Sequence, residues 1–320
     1  MFYYYFVAKM QIHKGLYNLP DFKNAVLTIG TYDGVHFGHQ QIIKRINDIA
    51  QEINGESILL TFDPHPRLVL HPNDDTLKLI STIDEKEELL ETFGLNHLVI
   101  NEFSKEFSNM DATEYVEKIL VNNFHPKKIV IGYDHRFGKD RKGNIELLRE
   151  LSQKYNYEVE EIPAQTLDEI SVSSTKVRNA LLEGDINHAN QFLAHPFTIK
   201  GKVVHGDKIG RILGFPTANI EISNPHKLIP ASGVYAVKIK IDQQFYKGAL
   251  SIGYRETVFD NSKLTIEVFI LDFDGDLYNK DLDMIFVDYL RPQIKYDNWD
   301  LLKVQIEKDV EAIKKIMMNN

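Results

Sequence analysis

The stretch "TIGTYDGVHFGHQQIIKRI" (Thr28–Ile46) decides how the first half of this chain is read. An apolar run, "NAVLTIG" (24–30), leads into glycines at 30, 34 and 38, with His36 and His39 among them. Behind these, Ile42, Ile43, Ile46 and Ile49 fall on one helical face. The pattern is strand, glycine-rich turn, amphipathic helix. At the start of a helix, backbone N–H groups and the helix dipole favour a phosphate. The glycine spacing matches neither GxGxxG nor GxxxxGK[ST]. Two imidazoles beside a phosphate cradle can hydrogen-bond its oxygens and stabilise charge developing on a transferred group. They could instead ligate a metal, but no third ligand with suitable spacing stands nearby. A plain turn with solvated histidines is the other alternative.

Similar apolar runs follow: "SILLTFD" (57–63), "HLVI" (97–100), "KIVIGYD" (128–134) and "YEVEEIP" (157–163). They lie roughly thirty residues apart with helical patterns between them, as buried parallel strands with crossover helices require. The first half therefore predicts an open, doubly wound α/β sheet, whose ligands bind at the carboxyl ends of the strands.

After "LLEGDINHANQFLAHPF" (181–197) the period changes to two. The runs "GVYAVKIKI" (233–241), "YKGALSIG" (246–253), "LTIEVFIL" (264–271) and "LDMIFVDYL" (282–290) predict antiparallel strands in a small closed barrel. A last helix carries Leu302, Ile306, Val310, Ile313 and Met317 on one side, fit to cap that barrel. The expected domains are 10–184 and 196–320, joined by 185–195.

The 320 residues suit two domains, and a 43% hydrophobic share suffices for ordinary cores. A net charge of −9 argues against a non-specific nucleic-acid binder, while a local basic cluster would still serve a nucleotide. The absence of cysteine removes disulfides, thiolate metal sites and cysteine nucleophiles. The opening "MFYYYFVAKM" is too short to span a bilayer and lacks the marks of a signal peptide. The expectation is a soluble cytoplasmic protein whose fold starts at Met10, with residues 1–9 an extension.

Other motifs gather where the sheet would end. In "ISVSSTKVRNALLEGD" (170–185), Ser173, Ser174 and Thr175 precede a helix, as an N-cap or as phosphate donors with Arg178 one turn in. "TFDPHP" (61–66) closes the second strand, and "GYDHRFGKDRKGN" (132–144) closes the fourth. In the second half, "GDKIGRILGFPTANI" (206–220) spaces Gly206, Gly210 and Gly214 four apart. Thr217 and Asn219, two apart on an extended segment, point the same way and are hard ligands suited to Mg²⁺. A Gly-rich turn with an Asn-capped bend is the plainer alternative. Glu267 lies mid-strand on the face of Thr265, Phe269 and Leu271, where a carboxylate is costly unless paired or functional, or else marks an exposed barrel edge.

His36-x-Gly38-His39 with the downstream Ser-Ser-Thr-x-x-Arg resembles the motif pair of the HxGH nucleotidyltransferases. The fuller set "GTYDGVHFGH", "TFDPHP", "GYDHRFG" and "SSTKVR", followed by "GRILGFPTAN", resembles prokaryotic bifunctional riboflavin kinase/FAD synthetases. The resemblance implies a Rossmann-like nucleotidyltransferase domain followed by a six-stranded antiparallel barrel with a C-terminal helix. It implies riboflavin, FMN, FAD and ATP as substrates or products, with Mg²⁺ as cofactor. His36 and His39 would stabilise the α-phosphate transition state; Ser174, Thr175 and Arg178 would hold the triphosphate, with Asp134 near adenosine or flavin. The nucleotide would also meet Gly30, Thr31, Asp33, Gly34, Gly38 and Ser173, and in the barrel Gly206, Gly210, Arg211 and Gly214. Flavin contacts would come from Asp63, Pro64, His65, Pro66 and Arg291, metal contacts from Thr217 and Asn219, and the kinase base would be Glu267. The implied partners are small molecules rather than nucleic acid polymers or membranes, and the state a monomer or weak homo-oligomer. Three positions depart from the family pattern: Glu256 for proline, Phe269 for a frequent histidine, and Asn279 for glycine. An enzyme with one competent module, or a flavin- or nucleotide-binding regulator, are the competing readings.

Overall fold

A computed structural model describes residues 9–74, 76–163, 172–206, 210, 214–242, 244–255 and 263–318. The chain divides into two compact units, Met1–Ser174 and Thr175–Asn320.

The first unit is built on six parallel strands: β1 (Gln11–Lys14), β2 (Val26–Ile29), β3 (Ser57–Asp63), β4 (His97–Glu102), β5 (Lys128–Gly132) and β6 (Glu158–Ile162). Their order across the sheet is β1-β4-β3-β2-β5-β6. The chain winds outward from β2 through β3 and β4, then returns to place β5 on the other side of β2. The carboxyl ends of β2 and β5 thus border the switch point where such sheets bind ligands. Two apolar clusters cover the sheet. One is built around Leu27, Leu60, Val116, Phe124 and Leu148; the other around Val26, Ile43, Ile46, Leu59 and Leu98. Burial on both faces explains why the central strands read as continuous apolar runs. The helix Phe37–Glu52 buries the isoleucines that the periodicity marks, Ile42, Ile43, Ile46 and Ile49. The helix Ile83–Thr92 opens on a reciprocal cap. Thr82 Oγ1 accepts from the Glu85 N–H at 3.3 Å, and Glu85 Oε2 from the Thr82 N–H at 2.8 Å.

The second unit holds a closed barrel in the order β10-β11-β8-β7-β12-β9, all pairs antiparallel. Its strands are β7 (Thr198–Val204), β8 (Thr217–Glu221), β9 (Gly233–Ile241), β10 (Gln244–Arg255), β11 (Lys263–Ile270) and β12 (Asp281–Arg291). Closure removes every edge strand. Alternation sends Tyr235, Leu250 and Val268 into the interior. The helix Trp299–Ile316 lies across the outer face rather than over an end. Its Ile313, with Met317, packs on Ala236, Ala249, Phe269 and Leu271. Two further helices, Ser174–Glu183 and Ile186–Leu193, belong to this unit beyond Ser174. The Leu181 carbonyl accepts from Ala231 N–H at 3.0 Å, and Asn190 Nδ2 donates to the Phe286 carbonyl at 3.1 Å.

Candidate functional site

Beyond β2 the backbone runs through three positive φ angles, Tyr32 at 48°, Gly34 at 80° and Val35 at 41°. Two of these are unfavourable for side-chain-bearing residues, so other contacts must hold the turn. Those contacts come from β3 and from the entry and first turn of the helix Ile83–Thr92. The buried Asp33 carboxylate accepts from the N–H groups of Ile80, at 3.3 Å, and Ser81, at 3.1 Å. Gly34 N–H donates to Ser81 Oγ at 2.9 Å, and Lys86 Nζ donates to the Thr31 carbonyl at 2.7 Å. Thr61 Oγ1 reaches the same carbonyl at 3.3 Å. A Cβ on Gly34 would meet Ile80 Cγ2 at 2.7 Å, so the turn closes tightly on this segment.

The turn delivers His36 as N-cap of the helix Phe37–Glu52. Its Nδ1 accepts, at a long 3.4 Å, from the His39 backbone N–H. A neutral ring whose Nδ1 accepts carries its proton on Nε2, so this cap selects the tautomer with Nε2–H as donor. The rings of Tyr32, His39 and His36 stack in succession, with centroids 4.6 and 3.6 Å apart. Tyr32 is anchored by its hydroxyl to Thr28 Oγ1 at 3.0 Å. Burial first, then the His36 and Lys86 charges, holds His39 well below the ordinary imidazole range. His39 Nδ1 is enclosed without a hydrogen-bond partner among the described residues.

Gly30, Thr31, Asp33, Gly34, His36, Gly38 and His39 are thus brought together in one turn and helix start. Ser174 joins them through Oγ, which donates to the Asp33 carbonyl at 3.2 Å. Ser173 and Thr175 are exposed, and Arg178 is half-buried on the helix Ser174–Glu183. Asp63 and Pro64 are exposed at the end of β3, and His65 caps the short helix Pro66–Leu70 through the Arg67 N–H at 3.2 Å. Asp134 is exposed just past β5. Its neighbour His135 has Nε2 enclosed and unpartnered among the described residues, and burial brings that ring down to about 4. Arg211, Glu256 and Thr257 lie outside the described residues.

In the barrel, β11 and β8 pair so that Glu267 lies opposite Asn219 and Phe269 opposite Thr217. All four share the outer face, because Ile266, Val268 and Ile270 take the buried positions between them. Thr217 Oγ1 donates to Glu267 Oε2 at 3.2 Å. Glycines leave the approach open: a Cβ on Gly206 would overlap the Asn219 amide at 2.2 Å, and one on Gly210 would meet the Phe215 carbonyl at 2.3 Å. Gly214, at φ 86°, has nothing within 4 Å of such a Cβ. Hydroxyl, amide and carboxylate oxygens converging here form a donor set suited to a hard cation bridging phosphates. Among the described residues no cluster of three or more His, Asp or Glu could by itself hold a metal. Phe269 fills a packing role, its ring edge-on to Phe215 at 5.3 Å. Arg291 commits its guanidinium to Asp309 of the last helix, with Nη2–Oδ2 at 2.8 Å and Nε–Oδ1 at 3.0 Å.

Three groups escape a reading of the sequence. Tyr32 looks like a turn residue, Ser81 like a cap, and Lys86 lies in "DEKEELLE", which reads as a solvated charged helix. Only the fold turns Lys86 inward, to 5% exposure.

Comparison with known proteins matches residues 19–176 to the FAD synthetase family model and residues 193–317 to the riboflavin kinase model. A bifunctional riboflavin kinase/FMN adenylyltransferase from Listeria monocytogenes is 37% identical over 89% of this chain and 90% of its own length. The protein of the same name from Escherichia coli K12 is 31% identical, covering 94% of this chain and 96% of its own. Among solved structures, a macrolide-efflux protein from Streptococcus pneumoniae superposes with a TM-score of 0.84 at 30% identity, covering 95% of this chain and 98% of that one. Among the described residues no helix is long and apolar enough to cross a membrane. With a parallel sheet matched to one model, a closed barrel matched to the other, and relatives matched over nearly their whole length, the chain belongs to the bifunctional riboflavin kinase/FMN adenylyltransferase family.

Proposed function

We propose how this chain performs the two reactions of its family: riboflavin and ATP giving FMN and ADP, then FMN and ATP giving FAD and pyrophosphate. Residues 10–184 serve as the adenylyltransferase module, 185–195 as the linker and 196–320 as the kinase module. The observation that carries the assignment is the pair of family matches, each of which contains one of the two clusters just described.

In the first module a phosphate oxygen of FMN attacks the α-phosphorus of ATP, and the bond to the β-phosphate oxygen breaks. His36 Nε2–H and His39 stabilise charge on the α-phosphate, and the backbone at Gly30, Thr31, Asp33, Gly34 and Gly38 cradles the nucleotide. Ser173, Ser174, Thr175 and Arg178 hold the leaving pyrophosphate. Asp134 contacts adenosine or flavin, and Asp63, Pro64, His65 and Pro66 border the flavin. No protein nucleophile is needed; positioning and electrostatics supply the rate.

In the second module Glu267 takes the ribityl 5′-hydroxyl proton, the oxygen attacks the γ-phosphorus of ATP, and ADP leaves. The Thr217 hydroxyl donates to the Glu267 carboxylate, and Asn219 lies opposite Glu267 across the strand pair, which supports a shared site. Thr217 and Asn219 would hold Mg²⁺, which would neutralise phosphate charge when bound. The glycines 206, 210 and 214, with Arg211, line the nucleotide, and Arg291 stands on the flavin side, oriented by Asp309. The protein works on small molecules in the cytoplasm as a monomer or weak homo-oligomer, apart from nucleic acid polymers and membranes.

An HPLC time course with riboflavin, ATP and Mg²⁺ tests the reading. FMN should appear before FAD. Glu267→Gln should cut FMN formation by about a hundredfold or more while leaving FAD formation from supplied FMN intact. His36→Ala should do the reverse. Loss of both riboflavin phosphorylation and FAD formation from supplied FMN through either single change would overturn the two-site assignment.

A further inference from the structure

Among the described residues of the first unit Lys86 is the one buried lysine, at 5% exposure, and it stands against the adenylyl-transfer cradle. An interior ammonium is expensive, and a methionine of similar shape would fill the space without that cost. Among the described residues its one hydrogen bond goes to the Thr31 carbonyl at 2.7 Å. The carboxylates of Asp33 and Asp63 favour its charge, against the larger effect of burial. That bond completes a clamp. Asp33 and Gly34 are tied to Ile80 and Ser81, and Lys86, one turn further on, reaches back to the residue preceding the left-handed turn. The turn contains two side-chain-bearing residues at positive φ, so it keeps its shape only if held at both ends.

We propose that Lys86 is a positioning residue for adenylyl transfer: by fixing the Thr31 carbonyl it locks the Tyr32–Val35 turn, and with it the stacked Tyr32, His39 and His36 rings, before ATP arrives. This rests on the assignment of FMN adenylylation to the His36/His39 site. A backbone displaced by about 1 Å at such a centre costs on the order of a hundredfold in rate, so the loss falls on kcat more than on KM.

The chain contains no cysteine, which permits a chemical test. Lys86→Cys, alkylated with 2-bromoethylamine in denaturant and refolded, regains an ammonium at nearly the original reach. Lys86→Met and unalkylated Lys86→Cys should make FAD from FMN about ten- to a hundredfold more slowly, with riboflavin phosphorylation unchanged, and aminoethylation should restore the rate. The acid limb of the FMN-adenylylation pH profile gives a second readout. His39 stacks with Tyr32 and His36 of the turn and feels the charges of His36 and of Lys86 from the neighbouring helix, while Asp33 and Asp63 act on Lys86. Without the Lys86 charge His39 holds its proton to higher pH, so that limb moves upward in Lys86→Met. Wild-type rates in Lys86→Met would overturn the proposal. Loss of FAD synthesis together with melting of the first unit, unrelieved by aminoethylation, would assign Lys86 to stability alone and overturn it equally. If His36→Ala makes FAD from FMN at the wild-type rate, the site assignment itself fails instead.

Discussion

His135 shows what burial does to one residue in this molecule. Enclosure of its ring is the main cause bringing it down to about 4; Asp134 opposes this, while Arg141 and Arg136 add to it. An imidazole in the unfolded chain titrates near 6.5, so the folded state binds fewer protons below that pH. The stability His135 contributes is therefore present above about pH 6.5 and lost as the pH falls toward about 4. Urea unfolding of the first unit should weaken by at most about 1.4 kcal/mol per pH unit across that window from this ring. His135→Asn should flatten the dependence. His13, His39 and His97, also lowered chiefly by burial, leave a residual slope of the same sign. An unchanged slope in the variant would show that the ring is solvated in solution.

At the scale of the element, the turn after β2 does what neither strand nor helix can. It must pass through left-handed backbone and still bring two imidazoles face to face. Gly34→Ala combines a φ of 80° with a Cβ 2.7 Å from Ile80, whereas Gly214→Ala has the angle without the clash. The first should destabilise its unit by about 1–3 kcal/mol and slow FAD formation at least tenfold. The second should cost at most about 1 kcal/mol. Thermal melts and separate FMN and FAD assays check both. The elements themselves were largely legible, because period and apolar runs follow from which faces are buried: β2 to β6 and the isoleucine face of Phe37–Glu52 stand where the pattern puts them. β1, a four-residue edge strand with mostly exposed side chains, follows Met10, where the fold is expected to start, but has no apolar run to mark its bounds. The motif residues of each site were legible for the same local reason, as glycines, imidazoles and the Thr-x-Asn pair lie close in sequence. Lys86 and Ser81 were not, since their role depends on a neighbouring helix entry folding back onto the turn. The partner of Arg291 was hidden likewise, Asp309 being eighteen residues on and placed only by the packing of the last helix.

For the molecule as a whole, two units with separate cores imply two activities that can be lost one at a time. A mixture of a His36→Ala protein and a Glu267→Gln protein should therefore make FAD from riboflavin, the first supplying FMN to the second, while neither does so alone. An FMN trap in the solution should abolish that FAD; a mixture that stays silent would mean that FMN never leaves the chain that made it. The fold-class change near 184–196 in the sequence and the contact division at Ser174 differ by the helices Ser174–Glu183 and Ile186–Leu193. An amphipathic helix reads alike whichever core it covers, and these two are bonded to Ala231 and Phe286 of the barrel unit.

The sheet of the first unit, unlike the barrel, ends in open strands, and β6 shows how such an end is kept from joining another chain. Its sequence "EVEEI" lines the last strand with carboxylates, and Glu158, Glu160 and Glu161 are held by Lys128, Arg45 and Arg149. A second copy approaching to extend the sheet would bring its own row of carboxylates against this one, and the repulsion guards the unpaired backbone. Acid strips away that guard, so self-association at low pH should begin from the sheet and leave the barrel, which has no strand to offer, as a bystander.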